Sequence, residues 1–235
     1  MSTPTCQQPA CPSARERLWR GVRLGFPIFL GYVPVGAAFG ILARSWGFSS
    51  AQAVACSATA LAGAGQFIGL SLMYGGASVA AVLLATTVVN LRYVLFGATL
   101  SPYLRDNALP KQLWLAFSLT DETFAVNIDD NRRGLADAAS MAGVGIVAWT
   151  GWVLGTGLGA VGGSVIGDPT RWGVDFAMPA MFTALLVAQI EGRRHLAVAA
   201  LAAVLAIGFM LVLPGKWYII AASIVAAFVA AVAER

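Results

Sequence analysis

Two short stretches carry side chains that can bind or transfer charge. The run "TTVVNLRYVLFG" sets Asn90 and Arg92 among apolar neighbours. The run "LAFSLTDETFAVNI", from Leu115 to Ile128, places Thr120, Asp121, Glu122 and Thr123 in a row between two apolar arms. A cation, two acids and an amide are what is needed to hold a zwitterion or to move a proton. A charge in mid-bilayer costs at least a few kcal/mol on the most lenient scale. If these stretches lie in a membrane, their charges are functional candidates, and Thr86, Thr87, Thr120 and Thr123 add polarity around them. The alternative role is a buried ion pair that only fixes helix register.

The rest of the chain says that they do lie in a membrane. Of 235 residues, 58% are hydrophobic and 11% charged, with a mean hydropathy of +0.76. A soluble domain carries about a quarter charged residues. The apolar residues come in long runs without an amphipathic stripe, which marks a polytopic membrane protein. The net charge of +4 does not indicate nucleic acid, because the basic residues lie at the ends of apolar runs. The opening "MSTPTCQQPACPSA" is polar and lacks the apolar core of a signal peptide. Residues 1–20 are expected to form a disordered tail, and 21–235 a single transmembrane domain. Cys6 and Cys11 lack the further ligands a metal site needs, so neither a metal nor a cofactor is expected.

A span needs about 20 mostly apolar residues. Eight stretches qualify or nearly so: Val22–Ala43, Ala51–Tyr74, Ser78–Leu100, Gln112–Ile128, Ala138–Val165, Val174–Ile190, Leu196–Leu213 and Trp217–Ala233. The expectation is an all-α bundle of seven or eight transmembrane helices joined by short loops. With the N-terminus cytoplasmic, the inner face receives Arg15, Arg17, Arg20, Arg23, Arg132, Arg133, Arg193, Arg194 and Arg235. The outer face keeps Arg44, Arg105, Lys111, Arg171 and Lys216. That bias follows the positive-inside rule.

Depth can be read from the rise per residue. Arg92 lies about 12 Å, and Asp121 about 13.5 Å, below the same end of two consecutive antiparallel spans. An ion pair from Arg92 to Asp121 or to Glu122 is therefore expected, with Asp121 slightly favoured. Neighbouring helical residues point about 100° apart, so the other acid faces elsewhere.

Helix breakers mark further positions. "FPIFLGYVPVGAAFG" carries Pro34 among glycines, and "VDFAMPAMFTALL" carries Pro179 in a comparable place. Paired broken helices in two halves suggest an inverted repeat around a midplane site. "LAGAGQFIGLSL" carries Gln66, whose amide must find a partner in lipid. Gly151, Gly155 and Gly159 recur every fourth residue, a packing face for another helix.

Taken in order, "GYVPVGAAFGILA", "AGAGQFIGLSL", "NLRYVLFGATLSPYL" and "AFSLTDETFAV" resemble the AzlC family of branched-chain amino-acid permeases. The likeness runs from about Gly25 to Val126, and "FAMPAMFTALL" extends it. It implies a bacterial inner-membrane subunit that works with a small AzlD-type membrane partner and exports branched-chain amino acids. A higher oligomer is left open. Family members often carry a His after the Arg of the third-span motif. Tyr93 stands there instead, and His195, the only histidine, lies beside Arg193 and Arg194.

The substrate site expected from these residues comprises Pro34, Gln66, Asn90, Arg92, Thr120, Asp121, Glu122 and Pro179. Arg92 would attract a carboxylate and one of the acids an ammonium group. Phe39, Phe67 or Phe124 would receive an apolar side chain. A carboxyl group kept from water holds its proton more readily, so proton coupling is also expected. No nucleotide-binding loop is present, which leaves ATP out as a direct driver. An intramembrane protease is disfavoured, because His195 is interfacial and Asp168 lies in a loop. A channel or purely structural subunit is the remaining alternative.

Overall fold

The computed structural model describes residues 13–105, 107–166, 192–212 and 217–233, with a few positions between 173 and 190. The described residues are predominantly helical, with no strand among them. They divide into two compact units, residues 1–178 and 179–235.

The first unit is organised by two long helices, α1 (Ala14–Ser45) and α8 (Ala138–Ile166). Both start on reciprocal caps. Ser13 and Glu16 exchange side chain-to-backbone bonds at α1, and Asp137 and Ser140 do so at α8. Helix α1 begins at Ala14, within the stretch expected as tail. Residues 1–12, with Cys6 and Cys11, lie outside the described residues. At the far end of α1 the chain turns through Gly47, whose φ of 91° suits glycine alone.

The two helices meet backbone to backbone through interleaved glycines. Gly21, Gly25, Gly36 and Gly40 of α1 face the α8 backbone, and Gly143, Gly151, Gly155 and Gly159 face that of α1. The four-residue stripe in the sequence is thus a helix-packing face, as its spacing indicates. Contacts advance in the same direction along both helices, so α1 and α8 run parallel. An odd number of crossings must then lie between them.

Three interrupted segments supply those crossings. They are α2 (Ser50–Thr59) with α3 (Gly63–Tyr74), α4 (Val79–Asn90) with α5 (Arg92–Leu104), and α6 (Leu109–Phe117) with α7 (Asp121–Arg132). Neither α2 with α3 nor α6 with α7 packs side by side, so each pair continues end to end instead of folding back. Among the described residues, four helices are long and apolar enough to cross a bilayer: α1, α4–α5, α8 and α9 (Arg193–Met210). The apolar windows of α4–α5 and α9 contain no fully buried residue within the chain, which leaves them a flank open to lipid.

The expected broken helices are present, but the breaks lie elsewhere. Helix α1 runs uninterrupted through Pro27 and Pro34. Close packing of its glycines on α8 supports the helix across the hydrogen bonds that the prolines omit. The breaks fall at Ala60–Ala62, Leu91 and Ser118–Thr120. The second unit contains α9 and α10 (Trp217–Ala233), which pack on each other. Most of the sixth span, and with it the inverted repeat, lies outside the described residues.

One face of the first unit is latched by ion pairs. Arg17 meets Asp137 at 2.7 Å, while Arg20 pairs with Asp130 and donates to the Leu135 carbonyl at 2.8 Å. The start of α1, the end of α7 and the start of α8 therefore share one face.

The glycine contacts lead to a paired test. A Cβ on Gly36 would lie 2.7 Å from the Trp152 carbonyl oxygen, whereas one on Gly31 meets nothing within 4 Å. Gly36→Ala is expected to lower stability by about 1–3 kcal/mol, and Gly31→Ala to leave it unchanged or raise it slightly. Thermal unfolding of both variants in detergent micelles checks this; equal midpoints would contradict the packing.

Candidate functional site

The breaks create the site. At Ser118–Thr120 the backbone leaves the helix and restarts at Asp121. Thr120 accepts from the Thr123 backbone N–H at 3.3 Å, and the Thr120 N–H donates to Thr123 Oγ1 at 2.8 Å. The Thr123 hydroxyl also lies 2.9 Å from the Ser118 carbonyl, to which it can donate. The two threonines thus satisfy groups that lipid cannot. Asp121 and Glu122 occupy the first turn of the new helix, where its dipole favours negative charge. The stretch "TDETF" is a helix start inside a span, and the continuous span expected over Gln112–Ile128 is corrected accordingly.

The α4–α5 interruption brings the cation to the acids. Arg92 is the first residue of α5, and its Nη2 lies 2.9 Å from Asp121 Oδ2. This is the favoured pairing of the two expected from depth. The Arg92 guanidinium carbon sits 5.4 Å from the centre of the Tyr93 ring, within cation–π range. Tyr93 thus gives the arginine an aromatic platform.

Glu122 takes the other direction, as adjacent helical residues must. Its Oε2 lies 2.6 Å from the Tyr32 hydroxyl on α1, and that hydroxyl is 2.8 Å from Thr120 Oγ1. Tyr32 has one proton to give, so it serves one of these oxygens at a time. Its ring packs edge-on against Trp152 of α8, with centroids 5.3 Å apart.

At the α2–α3 interruption Gln66 holds the scaffold. Its Nε2 donates to the Ala60 carbonyl at 2.8 Å, and its Oε1 accepts from Trp152 Nε1 at 2.7 Å. Trp149 Nε1 donates to the Ala58 carbonyl at 3.0 Å. Carbonyls at the end of α2 are thereby met by two side chains. The start of α3 has no side-chain cap, and the Asn90 amide lies against Gly65 there. A Cβ on Gly65 would come within 2.9 Å of Asn90 Nδ2. Asn90 Oδ1 and Arg92 Nε are buried without a hydrogen-bond partner. Such orphans point to a group still to be bound.

Of the eight residues expected from the sequence, the structure links Arg92 with Asp121, Glu122 with Thr120 through Tyr32, and Gln66 with the same cluster through Trp152. Asn90 lies at the α4–α5 interruption beside them. Pro34 is exposed on α1, about 200° around the helix from Tyr32, and is not part of the cluster. Pro179 is exposed in the second unit. Phe39 and Phe67 pack edge-on at 5.5 Å, and Phe124 stacks on Phe96 at 4.3 Å. Tyr32 and Trp152 were not anticipated. Their signal was the polar tip of each ring, which needs a partner when placed in a membrane span.

The family model described as "AzlC protein" matches residues 27–166, a stretch enclosing the whole cluster. The chain is 34% identical to the Escherichia coli (strain K12) "Inner membrane protein YgaZ", over 85% of this chain and 83% of that one. It is 32% identical to an uncharacterised membrane protein of Archaeoglobus fulgidus, over 82% of this chain and 84% of that one. It is 29% identical to the Bacillus subtilis (strain 168) "Branched-chain amino acid transport protein AzlC", over 77% of this chain and 73% of that one. No solved structure matches it significantly.

The ion pair generates its own test. Asp121→Asn leaves Arg92 without its counter-charge and is expected to destabilise the protein by about 3 kcal/mol. Adding Arg92→Gln removes the stranded charge and should recover most of that loss. Unfolding midpoints of the two single variants and the double measure the coupling; strictly additive losses would show that the two side chains act independently.

Proposed function

The chain belongs to the AzlC family, and on that premise we propose that it is the large subunit of a secondary transporter for branched-chain amino acids. The observation that carries this reading is the Arg92–Asp121 ion pair, set where two interrupted helices restart. An ion pair in a membrane can exchange partners with a zwitterion without stranding a charge. The substrate carboxylate takes Asp121's place on Arg92, helped by Asn90 and by the uncapped start of α3. The ammonium group takes Arg92's place on Asp121. The branched side chain lies against the neighbouring aromatic rings, Phe124 among them. Gln66, Tyr32 and Trp152 hold the frame around the exchange. The chemistry is binding and reorientation, with no bond made or broken in the substrate.

The direction we propose is export, driven by protons, with the N-terminus cytoplasmic. The latched face supports that orientation, since it gathers Arg15, Arg17, Arg20, Arg23, Arg132 and Arg133 on one side. A small separate membrane subunit of the AzlD type completes the transporter. The unburied α4–α5 helix offers the kind of apolar flank such a partner covers.

Cells given a leucine-containing dipeptide accumulate leucine that an exporter must remove. Expression of this chain with its small partner is expected to lower internal leucine, and Arg92→Gln to abolish the effect. Unchanged internal leucine with the wild-type pair would defeat the exporter reading. Gly65→Ala displaces the Asn90 amide and should weaken transport about tenfold, the equivalent of 1.4 kcal/mol of lost binding. A Gly65→Ala protein as active as wild type would remove Asn90 from the site.

A further inference from the structure

Resting on the transport reading above, we propose that the two adjacent acids divide the work. Glu122 takes up and releases the transported proton through its bond to Tyr32, while Asp121 stays charged for Arg92 and the substrate.

The division follows from what each carboxylate touches. Asp121 is held by a guanidinium at 2.9 Å. Protonating it would leave Arg92 without a counter-charge in a medium that penalises lone charges. Among the described residues, no cation pairs with Glu122. Its bonded partner is the Tyr32 hydroxyl at 2.6 Å, which in turn lies 2.8 Å from Thr120 Oγ1.

Hydroxyls serve either protonation state. When Glu122 is ionised, Tyr32 turns its proton toward the carboxylate. When Glu122 takes up a proton, its own O–H donates to the Tyr32 oxygen, and the tyrosine proton swings to Thr120 Oγ1. The same three oxygens close the network both ways, with one proton gained and no hydrogen bond lost. Arg92 has no acceptor and cannot make that reversal.

Few other titratable groups lie near Glu122 among the described residues. Tyr32 faces Glu122 from α1, Arg92 and Tyr93 from α5, and Asp121 precedes it on α7. Helix α8 carries no titratable side chain along its length. With Arg92 and Asp121 compensating one another, Glu122 is the surplus charge among the described residues of the cluster, and a single proton neutralises it. Thr120, whose hydroxyl already caps α7, doubles as the relay's terminal acceptor.

Two measurements on the full chain with its small subunit test the division. In lipid vesicles, Glu122→Gln is expected to lower leucine accumulation driven by a pH gradient at least about tenfold more than it lowers leucine exchange at equal pH on both faces. Asp121→Asn should lose both activities. Gradient-driven transport intact in Glu122→Gln overturns the proposal. Wild-type vesicles that move no leucine overturn the transport reading itself, a separate result.

The second measurement needs no transport. Infrared difference spectra between acid and neutral pH should show a carboxylic-acid C=O band that vanishes in Glu122→Gln and persists in Asp121→Asn. The opposite pattern assigns the proton to Asp121 and overturns the proposal.

Discussion

Lipid offers no hydrogen bonds, so every interruption of a membrane helix must be satisfied by the protein itself. That constraint organises the first unit. Three spans are interrupted, at Ala60–Ala62, Leu91 and Ser118–Thr120. At two of them the freed backbone groups are met from within: Gln66 and Trp149 hold the carbonyls at the end of α2, and Thr120 and Thr123 cap the start of α7. Such arrangements need a rigid support. The α1–α8 pair, locked by glycines that bring the backbones into direct contact, presents Tyr32 and Trp152 to the interrupted helices.

The charges follow from the same constraint. Asp121 and Glu122 stand in the first turn of a half-helix, where the dipole offsets part of the cost of placing acids in a membrane. Arg92 supplies one full counter-charge, and Tyr32 a hydrogen bond. Scaffold and site are therefore continuous. Gln66 illustrates this: the sequence marks it as a ligand candidate, yet its bonds hold the α2–α3 interruption and orient Trp152, which packs on Tyr32.

Much of this was legible in the residues. The rise per residue put Arg92 and Asp121 at one depth, and the pair is there. The GxxxG spacing of Gly151, Gly155 and Gly159 gave a helix interface. What periodicity could not show was where helices stop. Apolar composition is continuous across Ala60–Ala62, and Asn90 and Arg92 beside Leu91 do not end the apolar run, so hydropathy reads one span where the backbone makes two pieces. Prolines drew attention to Pro34, yet an omitted hydrogen bond in a tightly packed helix does not end it. The signal that did mark a break was Thr120 followed three residues later by Thr123, a capping pattern easily overlooked inside an apolar segment. Tyr32 and Trp152 escaped because an aromatic ring in a span reads as packing until the partner of its polar tip is seen.

The central claim is that a zwitterion exchanges partners with the Arg92–Asp121 pair. The most direct test compares ligands that differ by one charge. Binding of labelled leucine to the purified transporter in micelles would be competed by leucine, by leucinol, which lacks the carboxylate, and by 4-methylpentanoate, which lacks the amino group. The account predicts that both analogues compete at least about tenfold more weakly than leucine, since each forfeits a charge-assisted contact. Competition by either analogue at leucine's own strength would contradict it.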